Sequence, residues 1–173
     1  MRMPVAAAGS AAFFLLAPGT VAAAVPWWLT GWQAHRPWWL PLRVAGAVVV
    51  LAAAAALGAA FVRFVAEGAG TPAPVAPTEV LVVGGLYRYV RNPMYVAVVA
   101  AVLGQALLLG RGVLVAYAAA VWLCMAAFVR WYEEPVLTRR YGARYQAYRR
   151  AVPAWRPRLR PWNQDVLAGD GAG

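Results

Sequence analysis

The chain has 173 residues, 63% of them hydrophobic, and its formal net charge of +10 comes from 16 Arg and no Lys. A soluble domain rarely exceeds half apolar residues, so we expect a single integral-membrane domain over residues 1–173. The lack of Lys excludes Schiff-base chemistry and a phosphate-loop lysine, and one Cys with one His argues against a zinc site. The basic excess favours an anionic membrane leaflet as partner over nucleic acid.

Long apolar segments dominate the chain, and each approaches the ~20 helical residues that cross a bilayer. They predict an all-α polytopic membrane protein with about four transmembrane helices. The Pro18-Gly19 pair predicts a kink or fraying in the first helix, and the short Gly110–Gly112 link predicts an antiparallel hairpin of the last two. The four segments are Ala11–Leu29, Val44–Val65, Met94–Leu109 and Val113–Val129.

The positive-inside rule predicts the orientation of these helices. With four spans both termini lie on one side, and of the 16 arginines only Arg36, Arg43 and Arg111 lie opposite. We therefore expect both termini in the cytoplasm of a bacterial inner membrane. The N-terminal run also resembles a signal peptide, but Trp27 and Trp28 at its end are typical of a retained helix with an interfacial belt.

Two polar regions then share the cytoplasmic face. The loop Ala66–Arg91 is rich in Gly and Pro near its start, which is compatible with a linker or with a lid over a cofactor. The tail Arg130–Val152 predicts one or two amphipathic helices at the interface, beginning near Pro135 and broken at Gly142. The chain is thus divided into a helix pair at 1–65, a cofactor-binding part at 66–157, and a loose C-terminus at 158–173.

A stripe of tyrosines follows one face of the predicted tail helix. Tyr141, Tyr145 and Tyr148 are spaced four and three residues apart, as one helical face requires. We interpret the stripe as one that packs or anchors the tail, in preference to a binding role.

Asn92-Pro93 is typical of a helix start, with Asn as the N-cap and Pro at the first helical position. The exposed N–H groups and the positive dipole end, with Arg91 beside them, could hold a carboxylate or a phosphate. The alternative is a well-capped helix with Arg91 reaching toward lipid headgroups.

Glu133-Glu134 follows the fourth apolar segment, where a carboxylate would face the unfavourable end of the helix dipole. Such a pair needs a cation nearby. A neighbouring arginine and the ammonium group of a ligand are both compatible with the sequence.

Several motifs in order extend from Gly68 to Pro157: Gly-x-Tyr-x-x-x-Arg-x-Pro-x-Tyr, an apolar hairpin, Glu-Glu-x-x-Leu, Tyr-Gly-x-x-Tyr-x-x-Tyr and Val-Pro. Together they resemble the isoprenylcysteine carboxyl methyltransferase and phospholipid methyltransferase superfamily. The resemblance implies an S-adenosylmethionine-dependent enzyme that methylates a lipophilic acceptor at the cytoplasmic membrane face. The alternative is a non-enzymatic membrane assembly or lipid-binding protein with a degenerate site.

The resemblance also assigns roles to residues. It implies catalytic roles for Asn92, Glu133 and Arg130, where Arg130 is the nearest match to a substrate-contacting arginine although its spacing differs. The expected contacts of the cofactor are Glu79, Val80, Leu81 and Val82 in a strand-like stretch, then Tyr87, Arg91, Asn92, Pro93, Met94, Tyr95, Glu133 and Glu134.

Asn92 departs from the prenylcysteine enzymes, which have His at this position. Asn cannot take up a proton near neutral pH, so a mechanism that needs a base there is in doubt. A carboxylate acceptor needs no base, whereas an amine must lose its proton. The candidate acceptors are a prenylated cysteine carboxylate, the amine of phosphatidylethanolamine and a small lipophilic metabolite, and the absence of the His found in the prenylcysteine enzymes slightly disfavours the first.

Overall fold

A computed structural model describes residues 16–35, 39–68 and 80–163. These residues form helices and irregular segments and contain no β-strand. The elements are a π-helical turn Thr20–Ala24 leading into α1 (Val25–Thr30), α2 (Leu40–Gly68), a 3₁₀ turn Gly85–Arg88, α3 (Pro93–Leu109), α4 (Gly112–Phe128), a second π-helical turn Val129–Glu133 and α5 (Glu134–Ala151).

Two helical runs are long and apolar enough to cross a membrane, Leu40–Glu67 and Gly112–Ala151, and α3 is a shorter apolar helix. Both runs carry large apolar side chains on their surfaces, such as Leu51 and Leu123 at 70% and 59% exposure. Extended apolar surface of this kind suits contact with lipid. The structure thus supports a membrane protein with two helices of spanning length, where the sequence predicts about four.

The second run continues well beyond a membrane. Its 40 residues would be about 60 Å long, twice the ~30 Å of a bilayer core. The apolar part ends at Phe128, and charged residues begin at Arg130. We therefore take α4 as the spanning part and place Glu133 and α5 outside it.

α2 and α3 cross in close contact because glycines meet at the crossing. A Cβ atom on Gly46 would overlap the backbone of α3, lying 2.6 Å from the carbonyl oxygen of Gly104, and one on Gly104 would lie 3.0 Å from the carbonyl oxygen of Gly46. Small residues at such crossings let helix backbones approach within membranes. The predicted hairpin is confirmed, since α3 and α4 pack together and Gly110, at φ +65°, ends α3.

The N-terminal helix docks on this hairpin through its π-helical turn. The turn begins directly after Pro18-Gly19, where the sequence predicts an irregularity. Two carbonyl oxygens of the turn accept side-chain hydrogen bonds, Ala22 O from Gln105 at 2.7 Å and Val21 O from Tyr117 at 3.0 Å. A π-helical turn thus provides polar attachment points inside an apolar bundle.

We expected a helix terminus at Glu133-Glu134, but the fourth apolar segment continues directly into the next helix. Phe128 and Glu134 both keep right-handed helical angles, so the π turn joins α4 to α5 without a break. The dipole argument for the acidic pair is therefore wrong, because both carboxylates lie within a continuing helix. The predicted break at Gly142 is confirmed, with φ +54° and ψ −127°.

The segment after α5 turns back along the start of α3. Arg91 N donates to Pro153 O at 2.9 Å, Arg158 N to Tyr89 O at 2.9 Å and Trp162 N to Arg88 O at 3.0 Å. The buried Trp162 side chain packs with Tyr148 of α5. Where the sequence predicts a loose end after residue 157, the chain is therefore fixed as far as Asn163, and residues 164–173 lie outside the described part. The apolar face of α5 also packs on the protein rather than lying open at the interface.

Candidate active site

A cleft lies where the end of α2, the segment before α3, and α5 meet. Charged and hydrogen-bonding groups share it with an apolar wall. The lining residues are Phe64, Leu81, Val82, Tyr87, Arg91, Asn92, Val129, Glu133, Leu137, Tyr145 and Tyr148.

The loop before α3 is fastened to α2 by Glu67. Its Oε2 accepts a hydrogen bond from Gly84 N at 3.0 Å, and its Oε1 pairs with Arg63 Nε at 2.6 Å. A Cβ atom on Gly84 would overlap the ends of the Glu67 and Arg63 side chains, which would then have to move.

This attachment brings part of the predicted strand-like stretch to the cleft. Leu81 and Val82 line it, whereas Val80 is 54% exposed and points elsewhere. The stretch is irregular rather than a strand. Glu79 lies outside the residues that the structure describes.

Glu133 reaches the cleft from the π turn, and its two predecessors, Trp131 and Tyr132, face outward. Glu133 Oε2 accepts a hydrogen bond of 3.4 Å from Tyr95 Oη. None of the ion pairs found among the described residues involves Glu133. Burial raises the pKa of this carboxyl to about 7. A ligand cation would favour its ionised form.

Glu134, the next residue, forms ion pairs within the protein. Its Oε1 lies 2.9 Å from Arg91 Nη1 and its Oε2 lies 3.1 Å from Arg149 Nη2. It is only 5% exposed and does not line the cleft. The arginine alternative therefore holds for Glu134, whereas Glu133 forms no ion pair among the described residues.

Arg91 is anchored rather than open, in contrast to the cation expected beside the helix start. Besides Glu134, its Nη1 donates to Tyr145 Oη at 3.1 Å, and its Nε donates to Val152 O at 2.9 Å. These contacts tie the start of α3 to both halves of α5 and to the chain after it. Arg91 still lines the cleft and contributes its positive charge there.

The helix start at Asn92-Pro93 is confirmed in position but not in its cap. Pro93 occupies the first turn of α3 as predicted. The side chain of Asn92 makes no capping hydrogen bond and instead donates from Nδ2 to Ala154 O at 3.2 Å. The φ and ψ of Asn92, −118° and 58°, differ from a usual N-cap. Asn92 therefore secures the returning chain, and it also lines the cleft. Met94 packs beside Val82 and Tyr87.

Two members of the tyrosine stripe line the cleft, a role that we did not assign to them. Tyr145 and Tyr148 are 2% and 3% exposed, and Tyr148 Oη donates to the carbonyl oxygen of Tyr87 at 2.7 Å. The helical spacing identified their common face but not what that face contacts. Phe64, Val129 and Leu137 complete the apolar wall and carried no signal in the sequence beyond hydrophobicity.

A row of aromatic rings runs from Glu133 toward the apolar surface of α4. Tyr95, which donates to Glu133, stacks on Trp155 with ring centroids 6.5 Å apart. Trp155 and Trp122 form a T-shaped pair with ring centroids 6.1 Å apart, and Trp122 is 42% exposed. Arg130 is exposed and does not line the cleft.

Most of the sequence that forms this cleft matches a known protein family. A family model described as phospholipid methyltransferase matches residues 40–144, more than half of the chain. The chain belongs to the phospholipid methyltransferase family. The resemblance noted from the motifs is thereby confirmed at the level of the family, and the match runs from the first residue of α2 into α5, just short of Tyr145. No curated protein and no solved structure matched the chain.

Proposed function

We propose that the protein transfers a methyl group from S-adenosylmethionine to a lipophilic acceptor at the cytoplasmic face of a bacterial inner membrane. The observation that carries the proposal is Glu133, a carboxylate that lines the cleft without an arginine, beside Glu134, which has two. A buried carboxylate is costly unless a cation compensates it. A cationic ligand would supply that compensation.

The groups in the cleft fit this cofactor. S-adenosylmethionine carries an ammonium, a carboxylate, a sulfonium and an adenosine. Glu133 suits the ammonium, the positive charge of Arg91 suits the carboxylate, and Leu81 and Val82 offer apolar contact for the adenosine. The charged groups and apolar side chains of the cleft therefore complement the charged groups and the adenosine of S-adenosylmethionine.

S-adenosylmethionine, when bound, supplies a methyl group on a positively charged sulfur. The protein's contribution is to orient this centre and exclude water. The ring of Tyr87 lines the cleft and is buried, and a desolvated cation–π contact contributes about 2 kcal/mol. Burial raises the pKa of the Tyr87 hydroxyl far above its ordinary value, so the phenol stays neutral beside the cation.

Asn92 affects which methyl acceptors could react without a base in the cleft. It is the residue at the helix start, it lines the cleft, and its amide cannot remove a proton. A carboxylate acceptor would attack without a base. An amine acceptor would have to lose its proton to water before attack, because an ammonium nitrogen has no lone pair. We propose that the acceptor approaches along Tyr95, Trp155 and Trp122, because this row joins the cleft region to the apolar surface of α4.

The direct test is calorimetric binding of S-adenosylmethionine to the purified chain in detergent. We expect Glu133→Ala to weaken binding at least tenfold, about 1.4 kcal/mol. Tyr132→Ala is the matched control, because Tyr132 lies in the same π turn but is 47% exposed and outside the cleft. Lack of binding by the intact protein would refute the proposal.

The rival function is a non-enzymatic assembly or lipid-binding role with a degenerate site. Under it, Glu133→Ala and Tyr95→Ala would leave the cellular phenotype intact. Mass spectrometry of membrane lipids and lipophilic metabolites, with and without the protein, would separate the two and identify the acceptor by its gain of one CH₂ per methyl. Arg130→Ala, if Arg130 contacts the acceptor, should change the acceptor's KM and leave cofactor binding unchanged.

A further inference from the structure

Tyr145 lies in the part of α5 beyond the Gly142 break and beyond the residues matched by the family model. Its side chain is buried and lines the cleft. Its hydroxyl oxygen accepts a hydrogen bond of 3.1 Å from Arg91 Nη1. No role in binding follows from the family match for this residue.

The contact with Arg91 determines what the Tyr145 hydroxyl can still do. A guanidinium can only donate, so the phenol acts as the acceptor in this pair and its own hydrogen needs another acceptor. None is found among residues 16–35, 39–68 and 80–163. Burial raises the pKa of Tyr145, and the charges of Glu134 and Glu133 add to this while Arg91 opposes it. The hydroxyl therefore keeps its hydrogen at neutral pH and has one donor to offer.

Tyr148, one helical turn further along, is the natural comparison. It lines the same cleft and is equally buried, but its hydroxyl donates to Tyr87 O at 2.7 Å. The donor of Tyr148 is thus used within the fold, whereas that of Tyr145 is not.

The charges around Tyr145 favour an anion. Glu134 is shared by Arg91 and Arg149, so these three ionised side chains have one positive charge in excess, which remains once Glu133 is paired with the ammonium group of the ligand. Arg91 holds the phenol in place, and it is itself held by Glu134 and Val152 O. A donor that is fixed before binding loses little entropy when it meets a ligand.

We propose that the Tyr145 hydroxyl, held by Arg91, donates a hydrogen bond to the carboxylate of S-adenosylmethionine. The inference rests on the proposed function and deepens it. Glu133 would hold the ammonium group and Tyr145 the carboxylate of the same amino-acid end, so that the cleft distinguishes the whole cofactor from its adenosine part. Tyr145 is thereby a specificity-determining residue contributed by the tail.

The test compares two ligands on the full-length chain in detergent: S-adenosylhomocysteine and its decarboxylated analogue. We expect the intact protein to bind the first at least tenfold more tightly. Tyr145→Phe should lose about tenfold in affinity for S-adenosylhomocysteine, as expected for a hydrogen bond to a charged group, and change little for the analogue. Tyr148→Phe, the control, should lower thermal stability without changing the ratio of the two affinities.

The possible outcomes distinguish a failure of the proposed role of Tyr145 from a failure of the proposed function. Equal binding of both ligands by the intact protein would overturn the role of Tyr145 without any variant and leave the methyltransferase proposal standing. An equal loss for both ligands in Tyr145→Phe would assign Tyr145 to packing and overturn it as well. If the intact protein bound neither ligand, the proposed function itself would fail.

Discussion

The two ends of the α3–α4 hairpin use their polar side chains in opposite ways. At the turn end Gln105, Tyr117 and Arg111 each donate to a backbone carbonyl of the N-terminal segment, with distances of 2.7, 3.0 and 2.9 Å. The polar atom left over there is a neutral one, Gln105 Oε1. At the cleft end Glu133 has no ion pair and Tyr145 has an unused donor among the described residues.

This difference supports the cleft as the site of the proposed function. Native folds satisfy nearly all the buried polar groups that they use for structure, and apart from Gln105 Oε1 the turn end does so with hydrogen bonds between side chains and backbone. An ionisable group that the fold leaves without a counter-charge instead indicates a ligand site. Within the cleft end the same contrast recurs between Glu133 and Glu134, which are adjacent in sequence.

The substitution with the largest expected effect tests whether Arg91 stabilises the fold. We expect Arg91→Met to lower the free energy of unfolding by about 3–5 kcal/mol, because it leaves the buried Glu134 with only Arg149. Unfolding in mixed detergent would measure this loss. Arg139→Met, at an exposed position of α5, is the control and should stay within about 0.5 kcal/mol. A stable Arg91→Met protein would contradict this stabilising role of Arg91.

The helix crossing that supports both ends is the next test. Gly46→Ala should destabilise the protein by about 1–3 kcal/mol, because the added methyl group overlaps the α3 backbone. Gly58→Ala lies on the same helix with nothing within 4 Å of the new Cβ and should be neutral or stabilising by up to about 1 kcal/mol. Equal effects of the two substitutions would contradict the close crossing.

The pH dependence distinguishes the cleft end from the turn end. The pKa of Glu133 is raised to about 7 by burial, with Tyr95 and Arg91 lowering it and Glu134 raising it. A carboxyl with a raised folded-state pKa binds protons more tightly when folded, so the unliganded protein should lose stability as pH rises from about 4.5 to 7.

Cofactor binding should show the opposite sign. Only the ionised carboxylate attracts an ammonium, so affinity should fall by up to about tenfold per pH unit below pH 7. Thermal unfolding and calorimetry between pH 5 and pH 7 would measure both trends, and Glu133→Gln should abolish both. If the trends persisted in that variant, another group would be responsible.

The smallest expected effect lies at the turn end. Tyr117→Phe removes the hydrogen bond to Val21 O and should cost about 0.5–1.5 kcal/mol of stability. Binding of S-adenosylmethionine should not change, since Tyr117 does not line the cleft. A tenfold loss of binding in this variant would show that the two ends are coupled.

The sequence predicts much of the cleft's composition because its residues lie in compact motifs. Leu81, Val82, Tyr87, Arg91, Asn92 and Glu133 were all named from the resemblance, and all line the cleft. These motifs could not predict which hydrogen bonds and ion pairs each side chain forms. Arg91 pairs with Glu134, and Asn92 donates to Ala154 O instead of capping α3, because their partners are distant in sequence.

By itself the sequence determined the apolar helices, the hairpin turn, the helix start at Pro93 and the break at Gly142, because hydrophobic period, Pro and Gly act locally. The tertiary structure decided which carboxylate is paired, where the tail returns, and that Tyr145 and Tyr148 face the cleft. Glu133 and Glu134 have the same chemistry and adjacent positions in the chain. They differ because the helical turn that joins α4 to α5 directs one toward the cleft and the other toward Arg91 and Arg149.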